Sequence, residues 1–186
     1  MAGRGQEAKH PKVKADTQPP DTLAIQIDYL FIAADGSQTA QGRESVTVLV
    51  CVDDRGAVEA CVSTKKGPQD TYAIKVMAKF LDGLGAKKII LQTDGENAIQ
   101  SVARHMAKEA IPTVTLRITP RYSHQSNGRV EGMNKTLAGI MRTIKSEVEK
   151  KCTSQLDWGR CLLPWRVRHC AWTLTRFKTL QDGHSA

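Results

Sequence analysis

The 186-residue sequence contains no apolar run long enough to cross a bilayer, although 40% of its residues are hydrophobic. Its polar start, from Met1 to Glu7, also lacks the apolar segment of a secretory signal. Both absences argue against a membrane or secreted protein, and we expect a soluble, intracellular one. A chain of this length can bury one sizeable core, so a single domain with tails is predicted.

Cysteine is scarce and lacks the spacing of a disulfide or zinc framework. The five cysteines are Cys51, Cys61, Cys152, Cys161 and Cys170, an odd number without a Cys-x-x-Cys pair. His169 beside Cys170 does not complete a zinc site either, because no second closely spaced pair exists. These cysteines lie in apolar or helical contexts, and we therefore predict reduced thiols in the core.

Acidic residues are few in the C-terminal part of the chain. Residues 1–116 contain 14 Lys plus Arg and 14 Asp plus Glu, whereas residues 117–186 contain 13 and 5. The formal net charge of +8 therefore lies in the C-terminal part. Such a basic surface binds phosphates by releasing condensed counterions, although a soluble basic surface without a ligand explains the same count.

The apolar pattern predicts an α/β domain. Strands are predicted at about 23–32, 45–52, 57–62, 88–93 and 112–119, and helices after Asp70, Asp94 and Gly128. The first three strands form an antiparallel meander, whose second turn is Asp53-Asp54-Arg55-Gly56. The second strand is apolar enough for burial on both faces, so it is expected inside the sheet.

An aspartate lies within the first predicted strand. Ile25, Ile27 and Tyr29 alternate onto one side of this strand, and Asp28 faces the other side. Aspartate is a poor strand former, and an unpaired buried carboxylate is costly. Asp28 therefore requires either solvent on its face or a partner such as a cation.

A second aspartate, Asp94, follows the apolar strand 88–93 and precedes a predicted helix. Open α/β sheets place their sites at the carboxyl ends of strands, which favours a functional role for this residue. Asp94-Gly95 is also a common turn pair, so a purely structural turn is the alternative.

The stretch from Ile118 to Leu137 is the most informative part of the sequence. A polar loop from Tyr122 to Gly128 leads into a helix with apolar residues three or four positions apart. Glu131 lies in the first turn of this helix, and Lys135 lies one turn later on the same side. A solvated helix start, where an acid suits the helix dipole, is the simpler interpretation.

This stretch closely resembles the last motif of retroviral and long-terminal-repeat retrotransposon integrases. In that family a loop with Gln-Ser-x-Gly precedes Val-Glu-x-Met-Asn-Lys, and this chain has Gln125-Ser-Asn-Gly128 and Val130-Glu-Gly-Met-Asn-Lys135. The resemblance covers about residues 23–183. It implies a ribonuclease H-like fold: a mixed five-stranded sheet, with three antiparallel strands followed by parallel strands, and helices on both faces.

The resemblance also implies a catalytic and metal-binding triad formed by Asp28, Asp94 and Glu131. Between the last two acids lie 36 residues, one more than the common retroviral spacing, which a loop can absorb. Three carboxylates supply the hard oxygen ligands that two Mg²⁺ or Mn²⁺ ions prefer. The implied activity is trimming of the element's DNA ends and their transfer into target DNA.

DNA and further copies of the chain are the partners that the resemblance implies. The residues implied to contact DNA are Tyr122, Gln125, Asn127, Lys135 and Arg142. A homodimer or higher oligomer acting in the nucleus is expected, without a small-molecule cofactor. Two alternatives stay open: a decayed or domesticated copy that binds DNA without catalysis, and a ribonuclease H-like nuclease, which the Gln-Ser-Asn-Gly loop disfavours.

The ends of the chain depart from the retroviral pattern. Residues 1–20 read as a disordered basic arm, without the paired His and Cys of the zinc-binding domain expected there. The catalytic core is predicted over 21–186, with C-terminal helices from about 156, and no small basic barrel follows. A fragment or a degenerate copy of a larger polyprotein is therefore expected.

Three tryptophans recur at every seventh residue: Trp158, Trp165 and Trp172. This spacing among apolar neighbours predicts a helix, or helices, that bury tryptophan in the core or in a subunit interface. Stacking of nucleic-acid bases on these rings is the alternative.

Overall fold

The computed structural model describes residues 21–33, 37–42, 45–119, 127–152 and 162–177. The strands are β1 (Thr22–Ile32), β2 (Val46–Asp53), β3 (Val58–Ser63), β4 (Lys88–Thr93) and β5 (Thr113–Ile118). The helices are α1 (Thr71–Gly83), α2 (Asn97–Glu109), α3 (Gly128–Cys152) and α4 (Leu162–Phe177). This order of elements confirms the prediction from the apolar pattern.

The five strands form one mixed sheet in the order β3-β2-β1-β4-β5. β1 pairs antiparallel with β2 and parallel with β4; β2 pairs antiparallel with β3, and β4 parallel with β5. Three antiparallel strands are thus followed by two parallel ones, as the expected ribonuclease H-like fold requires. β1 lies in the middle and carries Asp28.

Two hydrophobic cores lie on opposite faces of the sheet. Ile25, Ile27 and Tyr29 of β1 pack with buried residues of α1 and α2. Leu30 and Ile32 belong to the other core, which contains buried residues of α3 and α4. Because side chains alternate along a strand, Asp28 is on the α3 side, which confirms the predicted division of β1 into two faces.

Helix α4 corrects one prediction from the sequence. Its buried face consists of Leu163, Arg166, Val167, Cys170, Ala171 and Leu174. Trp165 and Trp172 lie outside this face and are 52% and 49% exposed, so the predicted burial in the core is wrong for both. Residues seven apart share one side of a helix, and the side opposite to the tryptophans is the one that is buried, with five apolar residues and Arg166. Trp158 lies outside the described residues.

The predictions for the cysteines, for membrane spans and for the N-terminal arm have different outcomes. Cys51, Cys61 and Cys170 are buried free thiols, as predicted. Cys152 is exposed, so the predicted core position is wrong for it, and Cys161 lies outside the described residues. In the described part of the chain, no helix combines the length and apolar character needed to cross a membrane. The predicted arm, residues 1–20, lies outside the described residues.

Candidate active site

The parallel pairing of β1 with β4 brings two of the predicted acids to the same level of the sheet. The register joins Gln26 to Gln92, and Asp28 and Asp94 each follow two residues later. Ile89 and Leu91 face the same core as Ile25 and Ile27. Asp94 is the first residue after β4, and its carboxylate acts electrostatically on Asp28.

Three hydrogen bonds attach the start of α3 to successive residues on one face of β1. The Arg129 guanidinium donates from Nη1 to the Ala24 carbonyl at 3.3 Å. The Val130 backbone N–H donates to Oε1 of Gln26 at 3.0 Å, in a buried position. The Asn134 side chain donates from Nδ2 to Oδ2 of Asp28 at 3.4 Å. These bonds hold the first turn of α3, which carries Glu131, over the centre of β1.

Asp28 has the clearest electrostatic perturbation at this site. Burial raises its pKa from 3.8 to about 6, and the carboxylates of Asp94, Glu131 and Glu96 add to the rise. The backbone N–H of Tyr29, 2.7 Å from Oδ1 of Asp28, opposes it. Desolvation and like charges both disfavour the ionised carboxylate. The structure thus gathers the three predicted acids, with Glu96 as a fourth, within electrostatic range.

Asp28, Asp94 and Glu131 do not form a set of metal ligands in this structure. Among the described residues, no three Asp, Glu, His or Cys side chains form a group that could enclose a metal ion. Charges interact over many Å, whereas ligands of one Mg²⁺ or Ca²⁺ ion lie about 2.0–2.6 Å from it. The acids can therefore raise the pKa of Asp28 without forming a ligand group. Oδ1 of Asp94 accepts the Glu96 N–H at 3.0 Å, which is the structural turn considered above.

The donor chemistry nevertheless suits a divalent cation. Within the described ranges, no Lys, Arg or His forms a salt bridge with Asp28, Asp94 or Glu131. Glu131 is exposed and Asp94 half-buried, so both side chains have space to change rotamer. Hard oxygen ligands of this kind bind Mg²⁺ and Mn²⁺. The assignment of the triad as metal ligands stays a prediction.

The predicted DNA-contacting residues fall into three groups. Tyr122 and Gln125 lie outside the described residues. Asn127 is only 6% exposed, and its carbonyl accepts the Glu131 N–H at 3.2 Å, so it forms the start of α3. Lys135 and Arg142 are exposed and seven residues apart, on one side of α3.

Sequence reasoning did not identify Gln26 and Asn134 as positioning residues. Asn134 is 3% exposed. A buried asparagine in a helix needs a hydrogen-bond partner, so its burial indicates a specific contact. Gln26 is 8% exposed in the middle of β1, two residues before Asp28. The sequence does contain a signal for both residues. Each is a polar residue at a position that the strand or helical period assigns to a buried face.

No protein-family profile matches the chain, and no curated protein matches it by sequence. Among solved structures it is similar to a chain in the cryoEM structure of the simian T-cell lymphotropic virus intasome in complex with PP2A regulatory subunit B56 gamma. The TM-score is 0.53 and the sequence identity 14%, over 92% of this chain and 55% of that chain.

At this level of identity the likeness concerns the fold. The chain has a ribonuclease H-like α/β fold, similar to that of the matched chain in the intasome complex. It spans about half the length of that chain.

Proposed function

We propose that this chain is the catalytic core of an integrase-type polynucleotidyl transferase, which processes DNA ends and joins them to target DNA. The observation that carries the proposal is that Asp94 and Glu131 lie within electrostatic range of the half-buried Asp28. Two acids distant from Asp28 in sequence thus influence its carboxylate electrostatically. The matching loop and helix motif around Glu131 supports the same activity.

The proposed roles follow from the positions of the side chains. Asp28, Asp94 and Glu131 would hold Mg²⁺ or Mn²⁺, which supplies activation of the attacking hydroxyl and stabilisation of the leaving oxygen. Asn134 orients Asp28 through Oδ2, and Gln26 fixes the backbone beside Glu131. Both keep the acids close without touching the reacting phosphate.

The buried thiols do not fit an alternative chemistry with a cysteine nucleophile. Burial raises the pKa of Cys61 to about 11 and that of Cys170 to about 12. Burial also raises the pKa of Cys51 far above its usual range. At neutral pH these groups are protonated, whereas the nucleophilic form of cysteine is the thiolate.

An assay with a labelled DNA duplex tests the proposed activity. The full chain is incubated with a 5′-end-labelled duplex and Mn²⁺ or Mg²⁺, and the products are resolved on a denaturing gel. We expect joined strands longer than the input, and we expect none in the presence of a chelator. Binding without joined or shortened products would instead support the alternative function, a DNA-binding protein without catalysis. Preferential cleavage of an RNA–DNA hybrid would support a nuclease.

Two observations support the alternative function, a DNA-binding protein without catalysis. The excess positive charge lies in residues 117–186, and Lys135 and Arg142 on α3 are exposed. Among the described residues, the acids also form no group that could hold a metal ion. Both functions require DNA to approach α3.

The substitution Lys135→Ala tests this approach. We expect weaker binding to duplexes of any sequence. The slope of the logarithm of the association constant against the logarithm of the salt concentration should decrease in magnitude by about 0.9, since one phosphate contact is lost. The measurement is fluorescence anisotropy of a labelled duplex at several salt concentrations, without a divalent cation. Lys79→Ala on α1, at the opposite face of the sheet, is the matched control. An equal slope for both variants would remove Lys135 from the phosphate contacts.

The exposed aromatic side of α4 is the surface that we propose for self-association. Trp165, His169 and Trp172 form a stack with ring centroids 4.9 and 5.8 Å apart. Phe177, 69% exposed, extends this row against Trp172. Exposed apolar surface of this kind is more typical of an interface than of a free monomer surface.

The substitution Trp172→Glu tests the interface. A buried, unpaired carboxylate there is expected to raise the dissociation constant of a dimer by about a hundredfold. Sedimentation velocity over a range of concentrations measures it. Ile111→Glu, at an exposed apolar residue outside α4, serves as the control. If the wild type is a monomer at all concentrations, the row of rings is not a dimer interface.

A further inference from the structure

A lysine outside the predicted motifs lies beside the acidic cluster. Lys66, between β3 and α1, donates from Nζ to Oε1 and Oε2 of Glu96 at 2.7 and 2.9 Å. Its ammonium is also 4.9 Å from the ring centroid of Phe31 and 5.2 Å from that of Tyr29. Only 20% of the Lys66 side chain is exposed. This cation is therefore held in place, unlike a typical surface lysine.

The segment that carries Lys66 is fixed at several points. The Gly67 N–H donates to the Tyr29 hydroxyl at 2.9 Å, and Gly67 has φ +98°, which glycine adopts without strain. Asp70 caps α1 through the Ala73 N–H and accepts three further hydrogen bonds from Ser63 and Thr64. The segment around Lys66 is thus attached to the Tyr29 side chain of β1, on the face of the sheet opposite to Asp28, and to the start of α1.

Glu96 connects this lysine to the candidate active site. Its backbone N–H donates to Oδ1 of Asp94, and its carboxylate contributes to the raised pKa of Asp28. In the described part of the chain, Glu96 is the member of the acidic group that has a basic partner. The Glu96 side chain is 41% exposed, so it can turn into solvent if Lys66 acquires another anion.

We propose that Lys66 is a phosphate-binding residue of the active site, which exchanges Glu96 for a backbone phosphate when nucleic acid enters. The inference rests on the proposed function, since it assumes a nucleic-acid substrate at Asp28 and Asp94. A cation held over aromatic faces beside a gathering of carboxylates reduces the repulsion that these acids exert on a phosphate. Glu96 keeps Lys66 paired in the free protein and competes with the phosphate for it.

A double-mutant cycle tests the exchange by DNA binding alone. The variants are Lys66→Gln, Glu96→Gln and the double variant, measured by anisotropy of a labelled duplex in EDTA over a range of salt. We expect Lys66→Gln to weaken binding about tenfold and to lower the salt slope by about 0.9. Glu96→Gln should tighten binding. Because Glu96 no longer competes, Lys66→Gln should cost more affinity in the Glu96→Gln background than in the wild type.

Two controls separate this role from a structural ion pair. Lys65→Gln removes an exposed neighbouring lysine and should leave affinity and slope nearly unchanged. Lys66→Arg keeps the charge and should keep the slope, and thermal unfolding checks that each variant folds. If Lys66→Gln behaves like Lys65→Gln, Lys66 does not bind phosphate and the inference is overturned, although the proposed function stands.

The remaining outcomes are equally decisive. An equal loss on Lys66→Gln in both backgrounds would show that Glu96 does not compete, and the exchange would be rejected. A wild-type chain that binds no duplex would overturn the proposed function, and the inference with it.

Discussion

Replacement of Glu131 by Gln is expected to reduce strand transfer at least about a thousandfold. The charge stabilisation that bound metal ions supply to phosphoryl transfer amounts to several kcal/mol, and each 1.4 kcal/mol corresponds to a factor of ten. An amide retains the shape of the side chain but not the negative oxygen ligand. Glu131 is exposed, so the variant should fold normally. The joined product on a denaturing gel measures the loss.

The matched control for this substitution lies on the same helix. Glu147 is an exposed acid of α3, and Lys150 lies 2.9 Å from its carboxylate. Glu147→Gln makes the same chemical change away from Asp28 and should retain activity. Strand transfer that survives Glu131→Gln would remove Glu131 from the triad. A chain inactive in wild type and variant, yet able to bind duplex, would favour the binding function.

The architecture could be predicted from the sequence because its elements have strong local patterns. The alternation in β1 assigned Ile25 and Ile27 to one core and Asp28 to the other face, and the structure confirms it. Asp70 was predicted to begin a helix, and its side chain accepts the Ala73 N–H. Such features depend on residues near each other in sequence, which is why periodicity and capping rules find them.

The parts of the site that depend on contacts between residues distant in sequence were harder to predict from the sequence. The bond from Val130 to Gln26 joins residues 104 positions apart, and the bond from Asn134 to Asp28 joins residues 106 apart. The pairing of Lys66 with Glu96 likewise needs the β3–α1 segment to meet the end of β4. No local pattern contains these contacts. The spacing of Trp165 and Trp172 predicted a shared helical side correctly, but the period alone does not tell which side is buried.

Asp28→Asn is expected to stabilise the metal-free protein while it removes the proposed activity. In the folded state the pKa of Asp28 is raised from 3.8 to about 6, first by burial and then by the carboxylates around it. The folded protein therefore binds this proton more tightly than the unfolded chain. Ionised Asp28 destabilises the fold above pH 6, and this cost disappears as the pH falls towards 4. A neutral amide avoids the cost at every pH.

Urea unfolding in EDTA measures the difference in the free energy of unfolding. At pH 7.5 we expect Asp28→Asn to be more stable than the wild type by about 2 kcal/mol, since one pKa unit corresponds to about 1.4 kcal/mol. At pH 4 the difference should nearly vanish. Glu147→Gln should show no such gain, because the hydrogen bond from Lys150 lowers the pKa of Glu147.

Addition of Mg²⁺ or Mn²⁺ separates a metal-binding Asp28 from a merely buried one. A cation that binds the folded state stabilises it by mass action. The wild type should therefore gain stability as the cation is added at pH 7.5, whereas Asp28→Asn should gain much less. The gain of the wild type should weaken below pH 6, where Asp28 becomes protonated. Equal stabilisation of both proteins would mean that the cation binds elsewhere, and the triad around Asp28 would lose its role as a metal site.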